Sequence, residues 1–156
     1  MRRLTALSLF VIVIIIFSIA HADDINQMCS DKWGNNYEMV NYCIKNQRDA
    51  KREVAGYSGT IKRNCENKWG HNYEMVLYCI KNQTAAKRSV SNTSKDEICN
   101  FCTNKWGQNY EMIDYCIKNQ RAAKENIERN YNGYKRRRCE QKWGNNYEMV
   151  EYCIKN

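Results

Sequence analysis

Proline is absent from all 156 residues. Since proline is the residue least compatible with a helix interior, nothing of that kind interrupts long helices here, and abundant Glu, Lys, Asn and Ala lean the same way. Histidine is nearly as scarce, with only His21 and His71. The chain contains no G-x-S-x-G, no H-E-x-x-H and no phosphate-binding glycine loop. His71 stands at a variable turn position, and general-base work needs a positioned partner. The chain is therefore read as non-enzymatic, with no catalytic residue and no cofactor.

Long apolar runs are also missing, except at the N-terminus. Arg2 and Arg3 precede an apolar stretch from Leu9 to Ile19, and Ala20-His21-Ala22 then forms an A-x-A site. That order predicts a signal peptide spanning residues 1–22. The alternative is an uncleaved anchor. The run is short for a spanning helix, which needs roughly 20 apolar residues. Removal of Arg2 and Arg3 lowers the formal charge from +8 to +6. The expected location is secreted or periplasmic.

What the chain has in plenty is cysteine and repetition. All nine cysteines follow Ala22, and eight fall in four copies of one stretch: Cys29–Asn46, Cys65–Asn82, Cys102–Asn119 and Cys139–Asn156. Every copy reads C-x2-K-W-G-x-N-Y-E-M-x2-Y-C-I-K-N, with 13 of 18 positions constant and periods of 36, 37 and 37 residues. Such periods belong to helical repeat units. The expected fold is all-α: four tandem helical hairpins, at 23–51, 60–88, 96–124 and 134–156.

Within each unit, apolar residues four apart mark one helix face: Ile25, Cys29, Trp33; Ile61, Cys65, Trp69; Ile98, Cys102, Trp106. Lys135 breaks the pattern in the fourth. Gly34, Gly70, Gly107 and Gly144 follow the tryptophan, where glycine ends a helix. Asn36, Asn72, Asn109 and Asn146 are the expected N-caps of the second arm. The glutamic acid two residues on then complements the positive helix end. Tyr37, Val40, Cys43, Ile44, Gln47 and Ala50 form the inward stripe of that arm. Tryptophan, tyrosine, methionine and isoleucine are expected to pack around the cysteines. The Q-x-A-A-K-like tail reads as a connection outside the hairpin core.

Cys29 lies about five residues before the turn and Cys43 about seven after it, a mismatch of about 3 Å along the arms. Eight cysteines allow about a hundred pairings. The fourfold identical spacing favours Cys29–Cys43, Cys65–Cys79, Cys102–Cys116 and Cys139–Cys153. Cys99 is left over, either free or bridging two chains as a dimer. Its C-x2-C with Cys102 lacks the βαβ setting of redox sites. No metal is expected, because each unit offers only two cysteines with thirteen residues between them, and a site would require two units to converge.

The repeat resembles a motif of small bacterial proteins, C-x3-W-x2-[DN]-Y-x-M-x2-[YF]-C-x3-Q. All four copies match it, the last as far as Asn156. The resemblance covers about half of residues 23–156. It implies a bacterial origin and a helical unit, and no substrate.

Lys135-Arg136-Arg137-Arg138 is the densest basic run and the candidate anion-binding site, since such clusters attract phosphates, anionic lipid or acidic polymers. Export disfavours nucleic acid as the anion. Lys45 and Asn46, with their copies, have no evident structural role, which marks that stretch as a candidate contact surface. The sequence thus predicts an exported binding or interaction module, for an envelope partner or a membrane surface. The alternative is a cationic, membrane-active or toxin-like secreted protein.

Overall fold

The computed structural model describes residues 24–156, and the expected signal peptide or anchor lies outside the described residues. All regular structure among them is helical. The helices are α1 (24–33), α2 (Tyr37–Ala55), α3 (Thr60–Trp69), α4 (Tyr73–Ser91), α5 (Glu97–Trp106), α6 (Tyr110–Asn130), α7 (Gly133–Trp143) and α8 (Tyr147–Lys155). Each odd–even pair is one repeat.

The turn between paired helices follows from two residue types. Gly34, Gly70, Gly107 and Gly144 take φ values of 54 to 58°, a left-handed conformation costly for any residue with a Cβ. The asparagine two residues later caps the next helix. Its side-chain oxygen accepts from the backbone N–H three positions on, at 3.2 to 3.4 Å for Asn36, Asn72, Asn109 and Asn146. The same turn thus recurs wherever this glycine and asparagine recur.

The four bridges join the two arms of each repeat as the spacing predicts, with Cα atoms 5.7 to 5.8 Å apart. Closing a loop of this length contributes about 3 kcal/mol on the chain-entropy argument. Around each bridge sits a small core of aliphatic residues. Ile25 and Val40 flank Cys29–Cys43, while Val54, Val76 and Ile80 surround Cys65. Ile98, Ile113 and Ile117 surround Cys102–Cys116, and Ile127, Val150 and Ile154 cover Cys139.

Two expectations about the core are corrected. Tyr37 is 76% exposed, and Tyr42, Tyr78, Tyr115 and Tyr152 are 61 to 62% exposed, so these tyrosines do not surround the bridges. The aliphatic side chains are small enough to close the space between two bridged arms, and the tyrosines are left outside. The tail of the second arm is no mere connection. Helices α2 and α6 run on to Ala55 and Asn130 and bury Gln47, Ala50 and Val54, or Gln120, Ala123 and Ile127, on the way, whereas α4 runs on to Ser91 with its tail only partly buried.

Contacts divide the chain at Ile80/Lys81 into two compact units. The division falls inside α4. In the first unit, the tail of α2 packs on repeat two. In the second, the rest of α4 packs on repeat three, with Val90 against the Ile98–Cys102 core, and the tail of α6 packs on repeat four. In that last repeat Lys135 is exposed, and Tyr131 of the preceding joint lies against the core.

Candidate functional site

The junctions between repeats have a recurring polar geometry. Gln47, the residue that closes the C-x3-Q spacing, donates from Nε2 to Asn72 Oδ1 at 3.1 Å and to Glu74 Oε2 at 2.9 Å. Its Oε1 accepts from the Glu74 backbone N–H at 3.3 Å. Gln83 repeats this with Asn109, Glu111 and the Tyr110 N–H, at 3.0, 2.8 and 2.8 Å. Gln120 does so with Asn146, Glu148 and the Tyr147 N–H, at 3.2, 2.8 and 2.6 Å. Gln47 is 3% and Gln120 0% exposed. Each glutamine supplies an acceptor to a first-turn amide of the next repeat, one of the donors a helix leaves unpaired. It also ties together the N-cap asparagine and first-turn glutamate of that repeat.

One turn further on, a lysine completes the joint. The ammonium groups of Lys51, Lys87 and Lys124 lie 5.0, 5.5 and 5.0 Å from the ring centres of Tyr73, Tyr110 and Tyr147. Cation–π contacts of this kind contribute about 0.5–1 kcal/mol when exposed. The outer edge of the later joints adds Ser89 to Asp114 at 2.6 Å and Asn126 to Glu151 at 2.5 Å. At the last joint Tyr147 donates to Glu97 at 2.6 Å, and Lys124 pairs with the same carboxylate at 3.1 Å. The Tyr147 hydrogen bond, then that of Lys124, holds the Glu97 carboxyl below its ordinary value. Asp96 is also lowered, chiefly by the Cys99 backbone N–H it caps and further by Arg121.

These joints give a role to the glutamine and lysine of the tail that the sequence reads as a mere connection. Their signal was present: a glutamine and a lysine four apart, repeated at 47/51, 83/87 and 120/124. The side-chain partners of the glutamines lie 25 to 28 residues downstream, and nothing local indicates them.

The other candidate residues fall in separate places. Cys99 is unpaired and buried in the core of repeat three. A bridge from it to another chain would first require α5 to open. Lys135, Arg137 and Arg138 are exposed beside Tyr134, itself 74% exposed. Arg136 is different: it is half-buried, donating to Glu140 at 2.7 Å and to the Tyr131 carbonyl at 3.2 Å. The basic run thus presents three outward cations and one engaged in local structure. His71 is exposed and lies 3.4 Å from Asp24. The tryptophans are half-buried, Trp33 with 36% of its surface exposed, each with the preceding lysine 5.1 to 5.4 Å from its ring centre.

A second repeated feature faces outward. Tyr42, Tyr78, Tyr115 and Tyr152 occupy one position in every repeat, directly before the second cysteine, and their exposure is nearly identical. Lys45 and Lys118 are exposed one turn on, Lys118 being paired with Asp114 at 2.6 Å, and Lys155 with Glu151. In the second unit Tyr115, Asp114 and Lys118 line a shallow groove with Asn82, Ala85 and Ser89.

Four disulfides suit an oxidising, extracellular or periplasmic compartment. Among the described residues no helix is long and apolar enough to cross a membrane, and no cluster of His, Cys, Asp and Glu could hold a metal ion. Set against known protein families, curated proteins and solved structures, the chain matches none.

Proposed function

We propose that this is an exported, non-enzymatic repeat protein, released by loss of residues 1–22, that acts as a binding module for an anionic surface or envelope component. The observation that carries this reading is the set of four equally exposed tyrosines, Tyr42, Tyr78, Tyr115 and Tyr152. They contribute nothing to the cores, and tyrosine is a residue enriched where proteins meet other molecules. Repetition of one contact residue on linked units raises avidity without any new contact type.

The test is capture of envelope components by the oxidised natural chain and by a chain with all four tyrosines changed to alanine. Loss of the captured component, with unchanged disulfides and helicity, supports the reading. Equal capture by both removes it.

A second reading, a cationic membrane-active protein, is favoured by Tyr134 standing exposed beside Lys135, Arg137 and Arg138. An aromatic ring with flanking cations suits a lipid headgroup region. Leakage of anionic vesicles separates it from simple binding. Changing residues 135–138 to serine should weaken vesicle binding, and raising salt should do the same, because exposed charges are screened over about 8 Å at physiological ionic strength.

A further inference from the structure

Three of the four second-arm helices begin in an occupied socket. Asn72-Tyr73-Glu74, Asn109-Tyr110-Glu111 and Asn146-Tyr147-Glu148 each receive a glutamine from the preceding repeat, with a lysine near the tyrosine ring. The fourth set, Asn36-Tyr37-Glu38 at the start of α2, has the same residues and the same local turn. Asn36 caps the Met39 N–H at 3.2 Å, as its siblings do. Yet Tyr37 is 76% exposed, whereas Tyr73, Tyr110 and Tyr147 are half-buried.

The occupant can be specified from the three filled examples. It needs an amide that donates twice and accepts once, and an ammonium one helical turn away to lie over the ring. In this chain glutamine and lysine stand four apart only at 47/51, 83/87 and 120/124, and all three pairs are engaged in its own joints. No glutamine occurs among residues 1–23.

We propose that Asn36, Tyr37 and Glu38 form a docking surface for a helix of another protein that carries glutamine and lysine four residues apart, as the tail of a related repeat does. The surface is distinct from the four repeated tyrosines, and it stands or falls without them.

The test adds a tail to the protein itself. The chain is extended after Asn156 by a copy of residues 120–128, which restores the C-x3-Q spacing and the lysine beyond it. One copy's tail can then enter another's open socket. A head-to-tail contact of this kind joins unlike surfaces on successive copies, so the extended chain should form assemblies that grow with concentration. Sedimentation velocity measures them, and excess natural chain should shorten them by capping free tails. Alanine at the added glutamine, or at Asn36 and Glu38 together, should weaken association about tenfold, the effect of losing charge-assisted hydrogen bonds. An extended chain that stays monomeric, or that associates equally well without the added glutamine, overturns the proposal. So does self-association of the natural chain that disappears on changing Asn36 and Glu38, which would give the socket to a second copy.

Discussion

Gln120 and Asn146 lie 26 residues apart in sequence and are joined by a 3.2 Å hydrogen bond across the junction of the third and fourth repeats. The Gln120 amide also binds Glu148 and the Tyr147 N–H. Because Gln120 is fully buried, its bonds have no water to replace them if a partner is lost.

Gln120→Ala should therefore destabilise the fourth repeat by about 2 kcal/mol, the cost of leaving buried polar groups unpaired. Gln120→Glu should be worse at neutral pH, since it loses both donated bonds and sets a carboxylate against Glu148. Amide hydrogen exchange, read separately in α8 and α2, checks this. Faster exchange in α8 with α2 unchanged is the expected result.

Replacing Cys139 and Cys153 with alanine together should cost about 3 kcal/mol and loosen the fourth repeat first. Its small core, built from Ile127, Val150 and Ile154, gives a short hairpin little else to rely on. Denaturant titration of the variant and the natural chain gives the difference. A non-reducing peptide map of the natural chain should return the four bridges at 14-residue separation.

Cys99 should resist alkylation under native conditions and react at once in denaturant, because its thiol is buried in the repeat-three core. Mass spectrometry after a timed iodoacetamide pulse reads this. Cys99→Ser should destabilise by about 1–3 kcal/mol through a hydroxyl buried in an apolar setting, and Cys99→Ala by less.

Acid should weaken the second unit. Asp96 is held below its ordinary 3.8, first by the Cys99 N–H, and Glu97 below 4.5, first by Tyr147 and then by Lys124. Glu151 is lowered too, first by Lys155 and also by Asn126. A carboxyl with a depressed folded value binds more protons when unfolded. Its contribution is complete above the ordinary value and is lost as pH falls through the folded one. Tm should thus be flat above about pH 5 and fall below about pH 4. A chain carrying Asp96→Asn and Glu97→Gln should show a shallower decline.

Much of each hairpin is legible in the sequence because its determinants are local. Gly34 and Asn36 write the turn within three residues, and Cys29 and Cys43 sit at similar heights on either side of it. The joints are harder to read. Gln47 resembles any inward residue of an amphipathic stripe, and only the fold brings it to Asn72 and Glu74. The tyrosines mislead for the opposite reason. Tyr42 and its copies are large and aromatic beside a cysteine, yet in α2 the adjacent Cys43 points inward and Tyr42 does not. Composition cannot distinguish those two directions, whereas the 61 to 62% exposure does.

The sameness of the joints bears on how such a chain can change length. Removing residues 83–119 would connect Asn82 directly to Gln120 and leave the C-I-K-N-Q sequence unbroken. The first half of α4 would continue into the second half of α6, and its glutamine would still meet Asn146. Duplication of the same stretch would insert a further unit with equally compatible ends. Recombination between copies can thus add or delete whole repeats in a single step, each product inheriting a complete set of interlocking ends.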